Sequence, residues 1–416
     1  MSATTIPALT DTVTLPCGAI LPNRVMKSAL SEALAGADNA PNHALEQLYR
    51  RWAHGGFGLV VTGNVMVDRC HLGEPGNVVI EDDRHLDALR RVAAQFNEVD
   101  TVCLVQLNHP GRQSNPLADI KTVAPSAVAL DIPGAPTPRA LTGSEISDII
   151  DRFATAAAVC ESAGFAGVQV HAVHGYLVTQ FLSPLTNKRD DEWGGDPIRR
   201  RRFLLEIVAA IRARVSPGFA VGVKLNSADF QRGGFTEEES REVVAALVAE
   251  GIDLLEISGG SYESPAMMGA AKASTAAREA YFLDYARTVI ELAGAVPVAV
   301  TGGFRTATAM SEAVAAGDCA IIGLGRPTCL DPQAATNVLA SPGARLTAGQ
   351  VQLPFARAAL VRPLQSMLDL QWHTDQLHRL GKGKNPDPKR AWWRTAMSAT
   401  WRNGADTLRP KRGGGR

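Results

Sequence analysis

The sequence has no surplus of charge: 42 Lys and Arg stand against 42 Asp and Glu in 416 residues. A protein that coats nucleic acid or an anionic membrane carries a basic excess, so neither partner is expected. Long apolar runs are missing as well. Charges, prolines and glycines interrupt every stretch that approaches the roughly 18 to 20 residues of a membrane-spanning helix. The start, MSATTIPALTDTV, has neither the basic leader nor the apolar run of a secretory signal, and a cytoplasmic protein is expected. The six cysteines, at positions 17, 70, 103, 160, 319 and 329, occur singly with no C-x-x-C pair. No local zinc or iron–sulfur ligand set is therefore written, and reduced, mostly buried thiols are predicted. Nor does a G-x-G-x-x-G follow any candidate strand, which argues against an open dinucleotide-binding sheet. What is present is a 45% hydrophobic composition, enough to bury a sizeable core and to exclude global disorder.

Short β-branched runs recur with amphipathic segments between them. The strand candidates are Arg24–Ser28, Leu59–Thr62, Val102–Leu107, Gly167–Val170, Ala220–Leu225, Leu254–Ser258, Val298–Thr301 and Ala320–Gly323. Several are nearly continuous apolar runs, as expected for a parallel sheet buried on both faces. Helical periodicity fills the gaps at about 42–55, 83–98, 144–164, 197–215, 237–250, 278–293, 305–316 and 331–340. Thr142 with Glu145 and Thr236 with Glu239 have the spacing of capping boxes, while Gly164, Gly251 and Gly317 stand where helices would end. Eight β/α units in succession predict an α/β fold, a (β/α)8 TIM barrel. Two stretches exceed it. Residues 108–143, rich in Pro and Gly, predict a loop excursion after the third strand. Residues 342–416 predict a helical C-terminal extension beyond a barrel domain of residues 1–341. Its last 38 residues carry 11 Lys and Arg against two Asp, so the neutral total conceals a basic tail and an acidic remainder.

In such a barrel the chemistry sits at the C-terminal ends of the strands. The fourth strand leads into HAVHGYLVTQFLSPLTNKRDDEWGG. His171 and His174 can aim N–H groups at one developing negative charge, and Tyr176 adds a phenol able to protonate an enolate-like carbon. A metal-binding pair and structural histidines are the competing readings; a zinc site lacks an obvious third ligand. The seventh and eighth strands end in TGGF and GLGRP, whose glycines and Arg326 suit a phosphate.

These stretches, together with LPNRVMKSALSEALA, GGFGLVVTGNVMV, QLNHPGR, VGVKLNSADF and IIGLGRP, resemble the Old Yellow Enzyme family of FMN-dependent oxidoreductases over about residues 10–340. The resemblance implies an FMN-containing (β/α)8 barrel that takes hydride from NADH or NADPH and reduces activated alkenes. By position, His171 and His174 would hold the substrate's activating oxygen and Tyr176 would donate the proton. Gln106 would meet the flavin pyrimidine edge, with Ala29 and a Gly63–Asn64 turn close by. Lys224 would lie near flavin N1, and Gly303, Gly325 and Arg326 would hold the phosphate. Three positions depart from the pattern: Ser31 replaces Thr or Cys near flavin N5, Lys224 replaces Arg, and Ile198-Arg199-Arg200 keeps only the last residue of E-N-R. Lacking clustered cysteines and further length, the chain matches the single-cofactor form of the family.

Other residues have plainer readings. Asp190 and Asp191 are expected to structure their loop, and His109 serves either a turn or a ligand. Met267 and Met268 would wall the substrate pocket or simply pack. Trp392, Trp393 and Trp401 would dock the tail on the barrel or on a second subunit of a homodimer or higher homo-oligomer. Two rival functions stay open: a flavin-independent lyase or isomerase with a metal on the His pair, and a partner-binding protein acting through its basic tail.

Overall fold

The computed structural model describes residues 6–114, 122–131, 135–259, 280, 282–349, 351 and 362–407. Eight parallel strands close into a barrel: β1 Val25–Lys27, β2 Leu59–Met66, β3 Val102–Asn108, β4 Gly167–Ala172, β5 Ala220–Asn226, β6 Leu254–Ser258, β7 Val298–Thr301 and β8 Ile321–Leu324. Each strand pairs with its neighbours in chain order, and β8 closes on β1. The inward side chains Met26, Leu59, Val61, Leu104, Ala220, Leu254, Ala299 and Ile321 fill the lower barrel. An antiparallel hairpin, Val13–Thr14 with Ile20–Leu21, plugs that end, with Val13, Leu15 and Leu21 joining the same cluster. Apolar filling below leaves the upper mouth for polar groups.

The outer ring is α1 His43–Ala53, α2 Leu86–Ala93, α3 Gly143–Ala163, α4 Pro197–Arg212, α5 Glu237–Ala249, α6 Leu283–Ala293, α7 Ala307–Ala315 and α8 Ala334–Ala340. Both expected capping boxes form, at Thr142–Glu145 and Thr236–Glu239. Gly164, Gly251 and Gly317 follow their helices with φ of 93°, 78° and 73°, the left-handed region in which glycine meets no side-chain penalty. Two strands run at least two residues further than their apolar runs suggested. β4 includes His171, and β2 continues through Gly63 and Asn64, where its register against β3 shifts between Val61 and Asn64. The expected Gly63–Asn64 turn is therefore a strand irregularity.

The excursion after β3 contains a one-turn 3-10 helix, Gly111–Gln113, and a small two-stranded sheet, Val123–Ala124 with Arg139–Ala140. In the extension, α9 Arg362–Gly381 lies against α1 and α10 Trp392–Thr407 lies on α9. Trp372, Leu377 and Leu380 are buried there, His378 Nε2 donates to the Glu32 carbonyl at 3.1 Å, and Arg51 donates to the Gly383 carbonyl at 2.9 Å. The latch between α9 and α10 is the buried carboxylate of Asp375, which accepts from Arg390 at 2.8 Å and from Ser398 at 2.7 Å. Asp375→Ala leaves the Arg390 guanidinium without that partner and is expected to cost the latch about 2–4 kcal/mol. Faster amide exchange confined to residues 385–401 checks this; uniform loosening of the barrel contradicts it. Trp372 of α9 adds an indole N–H to the Arg390 carbonyl at 3.0 Å, but Trp392, Trp393 and Trp401 do not form the latch. Trp393 and Trp401 are 47% and 77% exposed, because the face of α10 turned to α9 carries Thr395 and Ser398 instead.

Candidate active site

A cavity opens at the C-terminal ends of the strands, and side chains held by strand register form its floor. Asn64 pairs with Gln106 and Gln106 with Gln169 across β2, β3 and β4, while His171 pairs with Lys224 and Lys224 with Glu256 across β4, β5 and β6. Register partners in a parallel sheet point to the same face, so these groups meet above the apolar layers. Gln106 Nε2 donates to Gln169 Oε1 at 2.8 Å, and Gln169 Nε2 donates to Glu256 Oε2 at 2.8 Å. Glu256 Oε1 takes the Lys224 ammonium at 2.9 Å and the Thr301 hydroxyl at 2.6 Å. Ser28 closes the layer, donating to Thr301 at 2.7 Å.

One wall carries His171, His174 and Tyr176. His174 and Gly175 both have positive φ, 66° and 78°. This left-handed pair turns the chain out of β4 and sets Tyr176 just ahead of the short helix Leu177–Leu182. A non-glycine residue held there marks a geometry that the surroundings impose. The Tyr176 ring lies 4.8 Å from that of His171, and His171 Nε2 is 3.2 Å from His174 Nδ1. Because one ring donates to the other, the pair offers one outward N–H instead of the two converging donors expected from spacing. Burial first, and the Lys224 charge second, push both imidazoles well below the usual histidine range. They are neutral donors at ordinary pH. Binding of a carbonyl ligand should therefore show no inflection near the usual His value of about 6.5; a titration step there contradicts a neutral pair.

The opposite wall is the end of β7 and β8. Gly302, Gly303, Arg305, Gly323, Gly325 and Arg326 line it. Gly303 has a φ of 93°. A Cβ on Gly325 would meet only Leu30, at 3.9 Å, so the backbone there faces open space. A Cβ on Gly323 would collide with the Thr301 and Ser28 hydroxyls. Arg326 also pairs with Asp369 of α9 at 3.2 Å, which holds the guanidinium at the cavity edge. Asp369, Leu370 and Thr374 bring α9 into the lining.

Of the residues expected at the site, Ala29, Ser31, Asn64, Gln106, His171, His174, Tyr176, Lys224, Gly303, Gly325 and Arg326 all line this cavity. Gly63 does not. Its N–H points away, to the Glu32 carboxylate at 2.8 Å and the Tyr49 hydroxyl at 3.0 Å, and a Cβ would collide with Glu32. Ser31 donates its hydroxyl to Glu74, a lining carboxylate that spacing did not reveal. His109 is turn architecture: buried, it accepts from the Gly111 N–H at 3.1 Å. Asp191 organises its loop by accepting from Arg189 and from the Trp193 N–H. Met267 and Met268 lie outside the described residues.

The His pair has no third metal ligand among the described residues. A grouping of Asp68, His71 and His109 lies close enough for a cation outside the cavity. There, however, Nδ1 of His109 already accepts a hydrogen bond, so the neutral ring carries its proton on Nε2. Within the cavity, Asn64 Oδ1 and His171 Nδ1 are buried without a hydrogen-bond partner among the described residues. Amides and an ammonium lie on one side, two guanidiniums and glycine backbone on the other. That donor set fits FMN, whose pyrimidine edge and phosphate are its two polar ends.

Known proteins agree. The chain is 37% identical over 409 residues to the NADH-dependent flavin oxidoreductase iccE of Talaromyces variabilis, an alignment covering 90% of this chain and 98% of that one. It is 39% identical over 359 residues to iliE of Neonectria sp., also named an NADH-dependent flavin oxidoreductase, and spans 47% of that longer protein. Among solved structures, a 2-naphthoyl-CoA reductase complex with 2-naphthoyl-CoA superposes with a TM-score of 0.77 at 28% identity, covering 83% of this chain and 54% of that one. An Old Yellow Enzyme homologue from Zymomonas mobilis, 22% identical with a TM-score of 0.68, covers 82% of this chain and 94% of its own, and shares the fold. A family model described as NADH:flavin oxidoreductase / NADH oxidase matches residues 18–340, the span that builds the barrel and most of its cavity. The chain belongs to this family of FMN-dependent oxidoreductases, of which Old Yellow Enzyme is a member.

Proposed function

We propose that the chain is an ene-reductase, which reduces the C=C bond of an α,β-unsaturated carbonyl or nitro compound at the expense of NADH or NADPH. The observation that carries this reading is the shared cavity: His171, His174 and Tyr176 face the same space as Gln106, Lys224, Gly303, Gly325 and Arg326. When bound, FMN would supply the redox chemistry, the passage of hydride from the nicotinamide to the β-carbon of the alkene.

The protein's own residues do the rest. The outward N–H of the His171–His174 pair binds the carbonyl or nitro oxygen and stabilises the charge that develops there; a neutral pair does so without transferring its proton. The Tyr176 hydroxyl protonates the α-carbon, and its position beside His171 brings donor and activating group to one substrate. Gln106, Asn64 and Lys224 would hold the pyrimidine edge of FMN. Arg326, Arg305 and the glycine backbone of Gly303 and Gly325 would hold its phosphate. The two half-reactions share one cavity, so the kinetics are ping-pong.

The test is an absorbance spectrum of the purified protein near 450 nm, then anaerobic titration with NADH and NADPH and reoxidation by enones, maleimides and nitroalkenes. Bleaching by a nicotinamide and recovery with an alkene supports the reading. A protein that takes up no FMN, or is bleached and never reoxidised by any alkene, rejects it.

A further inference from the structure

Glu256 had no role in the sequence reading, yet it is the best-connected polar group of the cavity floor. It is fully buried and accepts from three strands: Gln169 on β4, Lys224 on β5 and Thr301 on β7. We propose that Glu256 is a positioning residue with two effects: through Lys224 it sets the net charge of the floor, and through Gln169 it sets the hydrogen-bond polarity that Gln106 presents to the cofactor. The inference rests on the reading that FMN lies in the cavity with its pyrimidine edge at Gln106 and Lys224.

An ionised carboxyl group only accepts hydrogen bonds. Gln169 must therefore turn its amide nitrogen to Glu256 and its carbonyl oxygen to Gln106, as observed. Gln106 must then give an N–H to Gln169, leaving its own Oε1 and one remaining N–H for the cavity. A glutamine at position 256 imposes no such order, because its amide can present either end.

Lys224 does not stand alone. Taken as a lone point charge, it would favour an anionic reduced flavin. With Glu256 at 2.9 Å and both side chains buried, the ammonium and carboxylate form a neutral unit. A uniquely charged lysine appears only when the carboxylate is removed, and a buried unpaired charge beside a ligand shifts its equilibria by roughly tenfold or more.

The test compares the FMN midpoint potential and FMN dissociation constant of the holoenzyme with those of E256Q, K224M and the double variant K224M/E256L. Unmasking the lysine should move the potential of E256Q to more positive values. Leaving the carboxylate alone should move K224M to more negative values, and the double variant should return close to the wild-type potential. A purely structural role lowers stability in all three without shifts of opposite sign, and that result overturns the proposal. Should E256Q not fold, Gln169→Leu cuts the relay while sparing the pair: FMN should bind about tenfold more weakly at an unchanged potential, and unaltered binding overturns the relay. A wild-type protein that binds no FMN defeats the underlying reading itself, and so is distinguishable from either failure.

Discussion

Tyr176→Phe is expected to slow alkene reduction about 100- to 10,000-fold, the range for loss of a positioned general acid. Flavin reduction by NAD(P)H should change less than about twofold, because no proton is donated to carbon in that step. The ring itself is a wall of the cavity: Tyr176 is nearly buried, and its face lies against His171. Phenylalanine keeps that packing, so a selective loss reports the hydroxyl alone. Stopped-flow measurement of the two half-reactions decides the matter. Equal slowing of both would show that the variant disturbs the cofactor, and the proton-donor role would then be wrong. A substrate that is reduced without needing a carbon-bound proton, such as a quinone, should escape the effect.

Arg326→Ala should weaken FMN binding about 10- to 100-fold, the worth of a charge-assisted contact to a phosphate. Arg326 has a second partner, Asp369 on α9, and its loss could act either on the anion or on the roof. Asp369→Asn separates the two, since it cuts the ion pair and keeps the guanidinium. If Arg326 binds phosphate, D369N should retain FMN affinity within about twofold while R326A loses it; equal losses would make Arg326 a structural latch only. Arg326→Lys should fall between, because an ammonium keeps the charge without the planar fork. Titration of apoprotein by quenching of FMN fluorescence measures all three.

Much of this site is legible without coordinates, and the reasons differ by residue. His171, His174 and Tyr176 follow a strand candidate, and Gln106 and Lys224 stand next to the last residue of theirs, so the apolar runs locate the barrel mouth, and all five line the cavity. Gly63 misleads because β2 slips in register between Val61 and Asn64, and one residue of slip exchanges the inward and outward faces. Glu256 leaves a signal in the sequence. A charged residue inside the apolar run LLEIS must find a partner if the strand is buried, and Lys224 in VGVKLN is a charge in the same predicament. Their pairing needs the β5–β6 register. Arg305 follows TGGF directly and could have been read with it. Asp369 carries no such mark, because it reaches the cavity from α9, and Glu74 carries none because it sits in the long loop after β2 with no apolar run around it.

The sequence by itself determined the eightfold alternation, the caps that start and stop its helices, and the end of the barrel where polar residues collect. These depend on near neighbours: periodicity, a hydroxyl three residues before a carboxylate, a glycine after a helix. Only the tertiary structure decided which polar groups touch. It joined the two histidines by a hydrogen bond, neutralised Lys224 with Glu256, turned Ser31 toward Glu74 and set Asp369 on Arg326. Strand register sets Lys224 against Glu256, the docking of α9 sets Asp369 on Arg326, the left-handed turn at His174 and Gly175 joins the two rings, and two separate loops bring Ser31 to Glu74; spacing alone names none of these partners.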